Sequence, residues 1–180
     1  MNRRFLAWPI ALSLGSPLLQ AQEFRAGIGV FLLADQGMDF QIGFHHPALN
    51  HWRFGYRHVQ WRDTFHDPYT GRALTKTTEG RTGPLVDYLF RPDSRGTWYL
   101  GGAVMRWSKR EESLMTGEVS RAATTAPFIG GGYTRALGSH VYYNLGMYLS
   151  PGARLSTRTS VSSEDDSGAF DIQIQMGVRF

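Results

Sequence analysis

Residues 168–180 read GAFDIQIQMGVRF, and from Phe170 onward apolar and polar residues alternate without a break. Phe170, Ile172, Ile174, Met176, Val178 and Phe180 share one parity. Asp171, Gln173, Gln175, Gly177 and Arg179 share the other. A period of two places the two sets on opposite faces of a β-strand, whereas a helix would scatter both around its axis. The same period returns at Met38–Phe44, Trp52–Arg57, Val86–Phe90 and His140–Leu149. A chain with this pattern must build a sheet with one oily face and one polar or small face.

Eight strands are expected, at Ala26–Leu33, Met38–His45, Trp52–Trp61, Pro84–Phe90, Thr97–Trp107, Ala126–Arg135, His140–Leu149 and Ala169–Phe180. Three of the links, HPALNH, RPDSRG and ALGS, are short and rich in turn formers. They alternate with longer polar stretches at Arg62–Gly83, Ser108–Ala123 and Ser150–Gly168, after a brief first link at ADQG. Short turns on one side and long loops on the other, with an even strand count, are the layout of an outer-membrane barrel.

The amino-terminal stretch MNRRFLAWPIALSLGSPLLQAQ has a basic start, an apolar centre and small residues near Ala21. That order is expected of a cleavable secretory signal over residues 1–21, leaving residues 22–180 as one barrel domain. Pro9, Gly15 and Pro17 interrupt the apolar run, which suits a signal better than a membrane-spanning helix. Removing Arg3 and Arg4 brings the formal charge of +4 closer to balance, and no compact basic run marks a nucleic-acid partner. Cysteine is absent, which excludes disulfides, thiol nucleophiles and thiolate metal sites.

Two barrels share this alternation and exchange inside for outside. A water-soluble barrel points its apolar parity inward; a membrane barrel points it at lipid. Aromatics expected at strand ends, Trp52, Trp61, Tyr99, Trp107 and Phe180, favour the membrane form, where they would make an interfacial girdle. In that form Asp39, Arg53, Arg57, Asp87, Asp171 and Arg179 face a narrow lumen as a polar network. Tyr142, Tyr148 and Phe31 would fill much of the remaining space, so a wide channel is not expected.

The stretch APFIGGGYTRALGSHVYYNLGMYLSPGARLS resembles the penultimate hairpin of the small OmpA/OmpX-like outer-membrane barrels, with a Gly-rich strand turning tightly into Leu145–Gly146–Met147–Tyr148. Ile172, Ile174, Met176, Val178 and Phe180 resemble the carboxy-terminal assembly signal of such proteins. The resemblance implies recognition of this strand by the barrel-assembly machinery and residence in the bacterial outer membrane. It implies an architecture and a location, not a single activity.

Some eight-stranded barrels act on lipid A. The deacylating kind carries a His-x-Ser pair, but His140 is followed by Val141 and Tyr142. Ser139 and His140 are neighbours, which puts their side chains on opposite faces of a strand. No amphipathic helix of the palmitoyl-transferring kind follows Ala21. His66 and Asp67, with Asp63 nearby, and His45 with His46, read as loop and turn residues without a third metal ligand. Glu164, Asp165 and Asp166 form an acidic cluster that could share divalent cations with lipopolysaccharide phosphates. Arg62, Arg72, Arg81, Arg110, Arg121, Arg154 and Arg158 could pair with the same phosphates. GIG and GGG open no helix and so are not phosphate loops.

The sequence therefore leads to an all-β, eight-stranded antiparallel transmembrane barrel with no catalytic, cofactor or metal site assigned. Its expected partners are outer-membrane lipids and lipopolysaccharide, the assembly machinery and an extracellular ligand engaged through loops, with the barrel a monomer. Envelope integrity or surface adhesion is the expected role. A lipid A-modifying enzyme and a narrow solute channel are the alternatives.

Overall fold

The computed structural model describes residues 23–29, 37–159 and 163–180. The expected signal segment, Phe31 and the far end of the expected first strand lie outside the described residues.

Eight strands pair in sequence order and close into a barrel: β1 Glu23–Gly29, β2 Met38–His45, β3 Trp52–His66, β4 Ala73–Leu89, β5 Gly96–Ser113, β6 Val119–Ala136, β7 Val141–Arg158 and β8 Ser163–Arg179. Every pairing is antiparallel, and β1 closes on β8 from Arg25↔Arg179 to Gly29↔Gln175. Between β2 and β3 a short 3-10 helix, Pro47–Leu49, forms where Pro47 sets the first φ and His46 Nδ1 accepts from Ala48 N at 3.1 Å.

The alternation seen in the sequence decides which way the barrel faces. Phe24, Ile28, Ile42, Leu100, Val104, Ile129, Leu145, Phe170 and Ile172 are all exposed, while Arg53, Arg57, Asp87 and Asp171 are buried. A water-soluble barrel would have the reverse. An oily belt on the outside and paired charges inside is the arrangement that lipid requires.

β3 to β8 run well beyond the expected strand ends. The stretches expected as long loops, Arg62–Gly83, Ser108–Ala123 and Ser150–Gly168, are largely strand, and only short turns such as Asp67–Arg72 and Leu114–Glu118 remain. The cause is physical. Past the apolar belt both faces of the sheet are polar, so hydrophobic alternation vanishes although Thr-rich segments such as LTKTTEG keep their β-propensity. An 18-residue strand such as β5 is about 60 Å long, or about 45 Å tall when tilted, against an apolar belt of about 25 Å.

A bulge between Ser150 and Arg154 shifts the β7–β8 register in this upper part. Opposite it Gly168 adopts φ +75°, a conformation that favours glycine. The outward parity of β7 changes there, from Leu145, Met147 and Leu149 below to Arg154, Ser156 and Arg158 above.

The expected girdle needs correction at three positions. Tyr99 and Trp107 are buried on the inward parity, and Trp61 turns inward with its ring against the Arg81 guanidinium. At the short-turn end the outward aromatics are instead Trp52, Tyr88, Phe90 and Trp98, with Trp52 edge-on to Tyr88 and Tyr88 edge-on to Phe90. Phe180 is exposed, as its parity requires.

Candidate functional site

Two regions concentrate chemistry: the lumen and the outward face above the apolar belt. The lumen follows from strand parity. Arg53 on β3 lies directly opposite Asp87 on β4. Its Nε and Nη2 both donate to Asp87 Oδ2, at 2.9 and 2.7 Å. The other Asp87 oxygen accepts from the Tyr148 hydroxyl. The Arg53 guanidinium also stacks over the Tyr99 ring at 4.7 Å.

Four residues further along β3, Arg57 donates from Nε and Nη2 to Asp39 at 3.0 and 2.8 Å, and from Nη1 to Asp171. Gln175 Nε2 adds a bond to Asp39 at 3.1 Å. Thus β2, β3 and β8 are tied across the lumen by one arginine. Arg179 keeps the inward parity but sits apart from these groups. It lies at the short-turn end, donating to the Ser139 and Gly138 carbonyls at 2.9 and 3.1 Å and facing Glu23 at 3.6 Å.

The ladder of polar groups continues upward and corrects two expectations: Arg81, expected in an outer loop where it could pair with lipopolysaccharide phosphates, is buried on the inward parity, and Asp166 of the expected acidic cluster turns to Lys109. Arg81 pairs with Glu79 at 2.9 Å and lies between the Trp61 and Trp107 rings, while Trp107 Nε1 donates to the same Glu79 oxygen at 2.7 Å. Lys109 pairs with Asp166, and Thr157 donates to Glu111, at 2.8 and 2.9 Å. Glu79, Lys109 and Glu111 share the inward parity of Arg53 and Asp87. They were hidden because they belong to stretches expected as loops.

Arg57 Nη2 also donates to the Ile172 carbonyl at 3.2 Å, and Arg81 Nη1 donates to the Phe170 carbonyl. Phe180, of the same parity on β8, exchanges both backbone bonds with Phe24 of β1. Alternation therefore aims the Ile172 and Phe170 carbonyls toward the β1 side as well. The Arg57 and Arg81 guanidinium groups thus bond backbone carbonyls of β8 as well as carboxylates.

Of the residues weighed for catalysis or metal binding, His140, His45 and Asp67 have structural partners, while His66 sits exposed at the outer end of β3 opposite Ala73. His140 Nδ1 faces the Arg179 carbonyl at 3.4 Å. His45 Nε2 contacts the Asn50 carbonyl. Asp67 Oδ1 accepts from the Tyr69 and Thr70 amides at 2.7 and 3.1 Å, and these bonds hold its carboxyl below the usual carboxylate range. Among the described residues no group of three or more His, Cys, Asp or Glu is placed to hold a metal.

Outside, above the belt, β3, β5 and β6 present Arg62, Arg106, Arg110 and Arg121, all exposed. They surround a cavity of about 550 Å³.

No family model matches the chain, and no curated protein matches it. Solved structures do. Ail, the attachment invasion locus protein of Yersinia pestis, solved in complex with the heparin analogue sucrose octasulfate, is 13% identical with a TM-score of 0.54, over 89% of this chain and 99% of that one. A second crystal structure of Ail is 11% identical with a TM-score of 0.53, over the same shares. Neisserial surface protein A is 16% identical over 88% of this chain and 94% of its own, with a TM-score of 0.48. The fold is that of the small eight-stranded outer-membrane barrels.

Proposed function

We propose that the chain is a non-enzymatic integral protein of the bacterial outer membrane, with its short-turn end toward the periplasm and its long-strand end outside. The observation that carries this reading is a charge-filled lumen combined with strands that outrun the apolar belt. Arg53–Asp87 and Arg57–Asp39–Asp171 occupy the centre of an eight-stranded barrel, where side chains fill the interior. That arrangement argues against a solute channel. His140 and Asp67 are engaged by neighbouring backbone groups, which argues against acyl-chain chemistry at them.

The upper half of the barrel has no anchoring use. It forms a stiff stalk that lifts the turns Asp67–Arg72 and Leu114–Glu118 above the headgroups, where binding residues are commonly carried. Tyr69, Leu114 and Met115 are exposed there. Ail, which shares the fold, is an attachment protein by name and was solved with a sulfated heparin analogue. Contact with surface molecules through this end, with adhesion or envelope reinforcement as the outcome, is the role we assign. The outward residues Ile172, Ile174, Met176, Val178 and Phe180 of β8 serve the assembly machinery in this reading. A closed ring without free edges suits a monomer.

Lipid A mass spectra from cells with and without the protein test the non-enzymatic reading: identical acylation is expected, and an acyl-chain change would overturn it. In planar bilayers the purified protein should be silent across salt conditions; steady unitary currents would restore the channel.

A further inference from the structure

The apolar belt is uneven around the barrel. On β8 the outward residues stay apolar from Phe180 up to Phe170. On β3 they are apolar only from Trp52 to Tyr56 and then become His58, Gln60 and Arg62. The interruption continues across three further strands in register. One row runs Arg62, Thr78, Arg110, Arg121; the row below it runs Gln60, Gly80, Ser108, Ala123; the next runs His58, Thr82, Arg106, Thr125. Arginine-bearing rows therefore flank a floor of small residues.

Arg110 and Arg121 are direct cross-strand partners. Like charges placed opposite each other destabilise a sheet. Among the described residues Arg110 has one carboxylate partner, Glu112 at 3.2 Å, and that pair is open to solvent. Arg62, Arg106 and Arg121 have no ion-pair partner among the described residues. A four-arginine cluster with a single, solvent-open carboxylate partner around a cavity of about 550 Å³ calls for a multivalent anion.

We infer that this notch holds the phosphates of a phosphorylated glycolipid of the outer leaflet. The inference rests on the outer-membrane orientation proposed above and assigns that surface a specific ligand class. The occupant is a lipid because the notch opens sideways and the apolar belt lies directly beneath it. Tyr56, Pro84 and Val104 stand below the arginines on the same outward face and would receive acyl chains. Gly80, Ser108 and Ala123 let a sugar approach the sheet, with Gln60 and Thr82 able to bond its hydroxyl groups. The guanidinium groups clamp the phosphates from both sides.

Native mass spectrometry of the full-length protein, released from vesicles containing either diphosphoryl or dephosphorylated lipid A, tests the assignment. Wild type should retain the diphosphoryl form by about tenfold over the dephosphorylated form. The R62Q/R106Q/R121Q variant should lose that preference, and R91Q, in the short turn between β4 and β5 at the opposite end of the barrel, should keep it. Heat-modifiable gel migration reports folding. Should the triple variant not fold, R121Q alone is expected to reduce retention severalfold. Equal retention of both lipids by wild type, or undiminished preference in a folded variant, overturns the inference. So does binding of soluble sucrose octasulfate through the same arginines with no lipid retained, which would make the notch a site for a soluble polyanion. Cell fractionation is read separately: absence from the outer membrane removes the proposed function, whereas presence there without a phosphate preference removes the notch alone.

Discussion

Arg53 and Asp87 face each other across the β3–β4 ladder and share one carboxylate oxygen between two guanidinium hydrogen bonds, both groups being almost wholly buried. Their pairing fixes register as well as charge. A slip of one residue would carry Arg53 to the lipid face and Phe54 into the lumen. The apolar belt and the ion pair thus enforce the same alignment from opposite sides of the wall.

Removing one member of this pair leaves a charge stranded in the barrel. Asp87→Ala should destabilise by about 3–5 kcal/mol, as for other buried pairs that lose a partner. Arg53→Met/Asp87→Leu should recover most of the loss, because both charges leave together. Urea unfolding in lipid vesicles measures both, and a double variant no more stable than Asp87→Ala would show that the pair has little influence of its own.

Lipid contact makes a depth-dependent claim. Ile174→Arg, on the outward face of β8, should destabilise by about 2–4 kcal/mol in bilayers. Leu114→Arg, in the turn beyond the belt, should stay within about 0.5 kcal/mol of wild type. Equal effects at the two positions would contradict the placement of the belt.

Glycines make room for lumen tyrosines. A methyl group on Gly146 would strike the Tyr99 hydroxyl, whereas one on Gly132 would strike backbone atoms of Leu145 and Gly146 as well as that hydroxyl. Both alanine variants should cost about 1–3 kcal/mol. Tyr99→Ala should suppress the added cost of Gly146→Ala but leave most of that of Gly132→Ala, since trimming a side chain cannot relieve the clash with backbone. A double-mutant cycle reads the difference.

The Asp67 turn should respond to pH in one direction. Its carboxyl is held below the ordinary range by the Tyr69 and Thr70 amides. A group lowered in the folded state contributes fully above its unfolded value and loses that contribution as pH falls through the folded value. Amide NMR shifts of Tyr69 and Thr70 should therefore titrate at a pH below that of an unstructured aspartate. In Asp67→Asn this titration should disappear.

Strand number and the facing of β8 were legible because lipid on one side and paired charges on the other force a period of two. Arg53, Asp87, Arg57, Asp39 and Asp171 were legible for the same reason. The upper parts of β4, β5 and β6 were not. Where water bathes the outside and polar groups line the inside, Glu79, Lys109 and Glu111 look no different from Thr78, Ser108 and Arg110 until the register is known. Trp61 and Trp107 misled for a related reason: a tryptophan near a strand end suggests an interface, yet both rings face inward and pack on Arg81. The arginine notch is a cross-strand property. Arg110 and Arg121 are separated in sequence by a turn and become partners only in the ladder.

The absence of native cysteine permits the most direct test of the central claim, that the long-strand end faces outward from a membrane-spanning barrel. Single cysteines at Tyr69 and Met115, in turns at the long-strand end, and at Asp93 and Ser139, in turns at the opposite end, would be treated with a membrane-impermeant maleimide on intact cells. Labelling at positions 69 and 115, with positions 93 and 139 reacting only after lysis, is the expected result. Labelling of positions 93 and 139 on intact cells, or equal labelling of all four, would contradict the account.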